Sequence, residues 1–409
     1  MEKLISFIGL FIFILIAWAV SEKRSSIDKR LVLWGVALQF AFALLILKTA
    51  LGHLLFDAAR VVTTNLLEFT AIGATFLFGK LATDFSLGAV IAFKVLPTII
   101  FVASLMGVLY YLRVIQIIVR GMAWTMERTM RASGAEAFIA ASFVFMGIEA
   151  ITAIKDYLKR MTRSEVFTLM TCFMATIAGS VMTAYVAFGA DAGHLLSASV
   201  MSAPAAIVIS KIMIPETGKA ITKDTLNITE LEVSEDDGTP PHKRFISSDV
   251  NVIDAAANGA TEGLKLALTI GAILLAFVSI IGMGDALLGY VGTSFEELTG
   301  YLFAPVAFIM GVPYAESFEV GKLLGIKVIF NEFISYQKMQ GMTLSPHAKT
   351  IATYALCSFA NFGSLAILIG GVGGIVPERK KEVATLGLKA LLAGCIAGFM
   401  TATIAGIII

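Results

Sequence analysis

Two stretches decide the fold: residues 134–161, GAEAFIAASFVFMGIEAITAIKDYLKRM, and residues 316–345, ESFEVGKLLGIKVIFNEFISYQKMQGMTLS. Both are apolar, and both are broken by glycine and charge too often to cross a bilayer as one helix. An ordinary crossing needs about 20 mostly apolar residues. Segments of this kind read as re-entrant hairpins, which enter a membrane and leave by the same face. Turn backbone at that depth is tolerated only where protein or a watery cavity surrounds it. The two stretches also resemble each other. Glu149 is followed by MTRS at 161–164 and then Gly179-Ser180; Glu332 is followed by MTLS at 342–345 and then Gly363-Ser364. Glutamate and serine are 31 residues apart in the first case and 32 in the second. Four-letter coincidences arise by chance, but with hairpins entering from opposite faces they point to inverted repeats.

The rest of the chain is that of an all-α integral membrane protein. Of 409 residues 57% are hydrophobic and 15% charged, and mean hydropathy is +0.86. A water-soluble protein of this length needs more charge to cover its surface. Apolar runs at 4–20, 31–50, 87–111, 164–187, 193–214, 264–290, 346–373 and 383–408 are each long enough to span. Eight crossings return both termini to the outside. Basic residues fit that orientation, because cytoplasmic loops collect lysine and arginine. Segments assigned to the cytoplasm hold Arg113, Arg120, Arg128 and Arg131; Lys155, Lys159, Arg160 and Arg163; Lys211, Lys219, Lys223, Lys243 and Arg244; and Arg379, Lys380 and Lys381. Outer segments pair base with acid, as in Asp57/Arg60 and Lys80/Asp84. Ala17 and Ala19 imitate a signal-peptide cleavage site. Lys23, Arg24, Lys29 and Arg30 follow the first run while Lys3 alone precedes it, so it reads as a retained helix.

Five regions follow. Residues 1–133 are N-terminal scaffold helices ending in an interfacial helix at 112–131, whose arginines share one face. Residues 134–214 form the first hairpin repeat, and 215–250 a polar cytoplasmic loop with a solvated Glu235-Asp236-Asp237 run. Residues 251–315 are interfacial and scaffold helices, and 316–409 the second hairpin repeat. A net charge of +1 gives no basic excess to bind nucleic acid. Cys172, Cys357 and Cys395 lie in apolar runs without CxxC spacing and read as core residues. The four histidines form no metal-binding pattern, and no nucleophile stands beside a base, so a membrane-embedded enzyme is the weakest functional class.

Polar residues inside the apolar runs carry the functional signal. An ionised carboxylate at the bilayer centre costs roughly 3 kcal/mol on insertion scales. Glu149 and Glu332 sit at corresponding places in the two repeats. On sequence they either cap hairpin helices or accept hydrogen bonds from a polar solute, a role suited to a charged acceptor. Asn331 and Asn361 can both donate and accept, as a sugar hydroxyl does. Phe359 and Phe362 flank Asn361 in SFANFGS, and Ser364 adds a hydroxyl. Thr176, with backbone carbonyls near it and Ser142 as partner, offers oxygens to a small cation. Mid-helix serine and threonine more often bond back to the preceding turn.

These residues resemble the concentrative nucleoside transporter family in its shorter bacterial form. The resemblance covers nearly the whole chain. It is carried by SFVFMGIEAITAI (142–154), MTRSEVFTLMTCFMATIAGSVMTAYV (161–186), NVIDAAANGATEGLKLALTIGAILLAF (251–277), NEFISY (331–336) and SFANFGS (358–364). It implies a homotrimer in the cytoplasmic (inner) membrane that imports nucleosides with a coupled H+ or Na+, without other cofactors. It also implies an elevator in which a mobile transport region moves against a static scaffold. By matching positions, Gly147, Ile148 and Glu149 face the base; Glu332, Asn361 and Ser364 hold the ribose, with Phe359 beside the base. Ser142, Phe145, Thr176 and Ile177 frame the cation, the two apolar residues through their carbonyls. Two departures stand out. The family's Gly-Gln-Thr-Glu tip is Met146-Gly147-Ile148-Glu149 here, so base contacts differ. Ser142 replaces the asparagine of sodium-coupled members, which leaves H+ and Na+ both open. A passive channel is the rival reading, although channels present continuous polar faces rather than polar groups clustered at hairpins.

Overall fold

In lipid a backbone must satisfy its own hydrogen bonds, and this chain does so with helices. The computed structural model describes residues 2–84, 91–218, 220 and 249–409. Among these, regular structure is entirely helical. The order begins with α1 (Glu2–Ala19), α2 (Lys29–Lys48), α3 (Ala50–Phe78), the single turn α4 (Lys80–Thr83), α5 (Leu96–Tyr111) and α6 (Val114–Met130). The first hairpin is α7 (Gly134–Ser142), a 3-10 turn at Ile148–Ile154 and α8 (Lys155–Leu158). A broken helix follows as α9 (Arg163–Ala175) and α10 (Gly179–Ala187), then α11 (Ala192–Met213), α12 (Val252–Leu288) and α13 (Phe295–Ile309). The second hairpin is α14 (Tyr314–Ile329) and α15 (Glu332–Gln340). A second broken helix, α16 (Pro346–Leu356) and α17 (Phe362–Ile375), precedes α18 (Lys380–Ile408).

Among the described residues, eight helical stretches are long and apolar enough to cross a membrane, and seven coincide with expected runs. The eighth differs. Residues 346–373 are not one rod, because 357–361 interrupt them between α16 and α17. Instead α3, which carries Asp57, Arg60 and Glu68, is a continuous apolar helix of 29 residues. Those charges are tolerated because they lie on its open face; only Gly52, Thr63, Thr70 and Ala74 are buried. Residues 87–90 of the third run and 221–248 of the polar loop, with its acidic run, lie outside the described residues.

The interior is built by α9, α10, α11 and α18. In α11 and α18, 89% of the apolar window is buried, against 17% in α12, whose outer face is exposed. Cys172, Cys357 and Cys395 are free thiols in this core, as their setting implied. α5 and α12 lie in backbone contact. A Cβ on Gly107 would come within 2.6 Å of the Ala255 carbonyl oxygen, and one on Gly259 within 2.6 Å of that of Ala103. Small residues at a crossing permit such close approach. α6 is amphipathic: Ile115, Val119, Ala123, Met126 and Met130 are buried while Arg120, Trp124 and Arg128 face out. Left-handed residues Arg113 and Arg131 turn the chain sharply at its two ends.

The repeats share a means of attachment. In the first, Ser133 caps α7 and its Oγ also donates to Glu165 Oε1 at 2.8 Å, tying the hairpin base to the start of α9. In the second, Ser345 caps α16 and gives Glu316 of α14 two bonds of 2.6 Å, from its N–H and its Oγ. Lys211 of α11 reinforces the first anchor, reaching Glu136 at 2.5 Å, Ser164 Oγ at 2.8 Å and Glu216 at 3.3 Å.

Candidate functional site

Both hairpin tips and both helix breaks meet at one place. At the first tip the chain leaves α7, and the Phe145 carbonyl accepts a hydrogen bond from Gly179 N–H at 3.0 Å, where α10 begins. In the first break the Thr176 carbonyl accepts from Phe359 N–H at 3.1 Å, in the second break. From there Asn361 Nδ2 donates to Glu332 Oε2 at 2.8 Å, at the second tip. Tyr185 of α10 closes the circuit, its hydroxyl donating to Glu332 Oε1 at 2.7 Å. Four segments distant in sequence are thus joined through backbone and side-chain bonds.

The sequence explains why the chain breaks here. Asn331 and Asn361 take extended backbone angles and cap α15 and α17, accepting from Ile334 N–H at 3.0 Å and Ser364 N–H at 2.7 Å. The amide oxygens that could match a solute hydroxyl therefore serve as helix caps, and for Asn361 the amide nitrogen is what points at Glu332. α10, α15 and α17 all start at this cluster, so three partly positive helix ends face it.

Glu332 is buried, and bonds to an ionised acceptor are worth about 1.5–3 kcal/mol each. Behind it an aromatic wall keeps water out. Tyr185 stacks on Tyr336 at 4.7 Å between ring centroids and meets Phe333 edge-on at 4.9 Å. Tyr336 is itself held by its hydroxyl, which donates to the Thr353 carbonyl at 2.8 Å.

Glu149 lies at the other edge of the cluster. Its Oε1 accepts from Gly147 N–H at 2.8 Å, so it caps its own 3-10 turn. A Cβ at residue 147 would stand 2.9 Å from Glu149 Oε2, which is why glycine precedes the turn. The Glu149 side chain is exposed, and Glu262 of α12 is close enough to act on its charge. Ile148 seats against Gly371 of α17, joining the first tip to the second broken helix. Phe359 is half-buried beside Phe173, at 5.6 Å.

The candidate cation residues are drawn together by the same circuit. Ser142 Oγ bonds back to the Phe138 carbonyl at 2.8 Å, and Thr176 Oγ1 to that of Cys172 at 2.8 Å. The Phe145 and Thr176 carbonyls each hold one N–H, which leaves each oxygen a second lone pair. Ile177 is buried in the break. Ser142 also lines a cavity of about 10 Å³ with Tyr110, Gln116, Phe138 and Met146, about the space of one water.

Tyr185 and Lys327 belong to this site although nothing singled them out beforehand. Tyr185 reaches Glu332 across 147 positions. Lys327 is fully buried in α14, five residues before Glu332.

Paired hairpins and paired broken helices around one cluster of carboxylate, amide and helix ends are the architecture of a membrane carrier. Comparison with known proteins agrees. Residues 8–81 and 194–406 match the models described as Na+ dependent nucleoside transporter N-terminus and C-terminus, and residues 92–192 the model described as Nucleoside recognition. The chain is 39% identical over 432 residues to Solute carrier family 28 member 3 of Mus musculus, covering 100% of this chain and 59% of that protein. It thus spans about three-fifths of that relative's length. It is 38% identical over 420 residues to the Uncharacterized transporter YutK of Bacillus subtilis, covering 100% of both. The structure of CNTnw in an inward-facing substrate-bound state matches with a TM-score of 0.91 and 36% identity, covering 100% of this chain and 98% of that one. The chain belongs to the Na+ dependent nucleoside transporter family, the concentrative nucleoside transporters whose motifs it carries.

Proposed function

We propose that this protein is a cation-coupled symporter that imports nucleosides by alternating access, with Glu332, Asn361 and Ser364 receiving the ribose and Gly147, Ile148, Glu149 and Phe359 the base. The observation that carries this reading is the convergence of both tips and both breaks on Glu332. A nucleoside hydroxyl takes the place of the Tyr185 donor at that carboxylate, while Asn361 continues to hold it. The carboxylate then exchanges one hydrogen bond for another rather than being left bare. Solved relatives described as inward-facing and outward-facing support the alternating movement.

Sodium is the coupling ion favoured by the family description, held near Ser142, Phe145, Thr176 and Ile177. The serine at 142 supplies a weaker oxygen than an amide would, which keeps a proton as the second reading. The hairpins re-enter from opposite faces, and the transport region moves as an elevator within a homotrimer in the cytoplasmic membrane. We assign crossing to the seven shared helices and the α16–α17 pair, and lay α3 along the outer surface, so that both termini face outside. Two contacts support that placement. Gly52 abuts the carbonyls of Leu45 and Ile46 at the end of α2, and Arg60 pairs at 2.8 Å with Asp191, the cap of α11. Within eight residues α3 therefore touches the ends of two helices, as a helix lying across them does.

The test is uptake of uridine, adenosine and inosine into vesicles, with sodium replaced and separately with a protonophore. A coupled carrier concentrates its solute and stops when its ion gradient is discharged; a channel only equilibrates. Glu332→Gln is expected to abolish uptake while the protein still reaches the membrane. Normal transport by that variant removes the site assignment.

A further inference from the structure

Among the described residues, the core holds two buried lysines with different surroundings. Lys211 has two carboxylates and a hydroxyl within bonding distance. Lys327 is 0% exposed, and among the described residues its Nζ has no hydrogen-bond partner. Its one oriented contact is with the face of Phe399 on α18, 5.8 Å from the ring centroid. An ammonium group left this bare in an apolar interior is costly, and a methionine or leucine would fill the space without that penalty. Packing therefore gives no reason for a lysine here. Charge does, because Lys327 and Glu332 lie on the two arms of one hairpin, near enough for their charges to act on each other.

The other titratable groups around the pair are Tyr185 of α10, Tyr336 of α15, Cys357 at the end of α16 and Cys395 of α18. Phenols and thiols are neutral near pH 7 at their ordinary values. Asn361 and the Tyr185 hydroxyl give Glu332 hydrogen bonds but no net charge. Among the described residues acting on Glu332, Lys327 is the cation.

We propose that Lys327 is the internal counter-charge of Glu332, a positioning residue that keeps the carboxylate ionised and held between Tyr185 and Asn361 when the site is empty. This rests on the reading of Glu332 as the sugar acceptor and deepens it. A neutral carboxylic acid would present one oxygen as a donor, and could no longer accept from two donors and then exchange one of them for a ribose hydroxyl. Lys327 acts on the solute only through Glu332, so the hairpin carries its charge balance with it.

The experiment uses the full chain in proteoliposomes and compares wild type, Lys327→Met, Lys327→Gln, Lys327→Arg, Glu332→Gln and Lys327→Met/Glu332→Gln. Infrared difference spectra at neutral pH are expected to show a protonated-carboxyl band in the Met and Gln variants. The band is absent from wild type and Lys327→Arg, and vanishes again in the double variant. The acid limb of uridine uptake is expected to move up by about one pH unit in Lys327→Met and to stay in place in Lys327→Arg. A merely structural lysine lowers uptake at every pH without moving that limb. The proposal is overturned if both neutral variants lack the band. It is also overturned if wild type already shows a band that Glu332→Gln removes, a result that decides the matter even where the neutral variants do not fold. Should wild type take up no nucleoside, the transport reading fails, while the infrared spectra still decide the pairing.

Discussion

Asn361 performs two tasks with one side chain, and they can be separated. Its Oδ1 caps α17 through Ser364 N–H at 2.7 Å, and its Nδ2 donates to Glu332 at 2.8 Å. Loss of a cap costs about 1 kcal/mol, and loss of a bond to a charged acceptor about 1.5–3 kcal/mol. Asn361→Ala forfeits both, about 2.5–4 kcal/mol in all. Asn361→Ser keeps a capping oxygen but is too short to reach the carboxylate. If Glu332 must be held for the sugar to bind, the missing bond alone raises KM for uridine roughly ten- to hundredfold, at about 1.4 kcal/mol per decade. The assay is initial-rate uridine uptake with purified protein in vesicles, beside a thermal melt in detergent. Asn361→Ser is expected to show the raised KM and to melt below wild type; Asn361→Ala shows the same KM and melts about 1 kcal/mol lower still, for the lost cap. Wild-type KM in Asn361→Ser would refute the reasoning, since the cap would then be the only service the side chain renders.

Three further outcomes follow from other contacts. Gly147→Ala places a methyl carbon 2.9 Å from Glu149 Oε2, so the carboxylate must leave its Gly147 N–H bond. Nucleoside affinity is expected to drop roughly tenfold, read by competition with labelled uridine. Lys211→Met strands Glu136 in the core and is expected to cost about 3–5 kcal/mol, seen as a large loss of melting temperature; an unchanged melt contradicts the anchor. Glu22 accepts from Lys389 at 2.7 Å and Arg163 at 3.0 Å. Burial alone would raise its carboxyl, but those two cations outweigh it and hold the group below its ordinary 4.5. The stability it lends is therefore complete above pH 4.5 and disappears as pH falls through the lowered value. Melting curves of wild type and Glu22→Gln should converge in acid and separate at neutral pH.

Sequence was most telling where one residue's chemistry determines local structure. Glycine and charge inside an apolar run stop it from crossing as one rod, whatever lies elsewhere in the chain. The interruption of 134–161 and 316–345 by glycine and charge marked both hairpin segments for the same reason. Sequence failed where the deciding partner is remote. Nothing near Tyr185 shows that its hydroxyl meets a glutamate of the opposite repeat. Lys327 reads like any basic residue until its burial is seen. Asn331 read as a recognition amide, yet its oxygen is a cap, because side-chain type does not reveal which neighbour a group faces. α3 escaped notice because three scattered charges lower its average, although all can sit on one open side.

Each hairpin is fastened at its root and lightly attached at its end. At the roots stand Ser133 with Glu165, Ser345 with Glu316, and Arg379, which donates to the Lys159 and Met161 carbonyls. At the ends, Phe145 is held to Gly179 by one backbone bond, and Glu332 by two donors. It follows that thermal opening is graded along the first hairpin. Amide hydrogen exchange should be fast around Phe145–Gly147 and slow at Ala137, whose N–H is held by the Ser133 carbonyl. Equal rates at root and end would mean that the hairpin breathes only together with the helices that carry it.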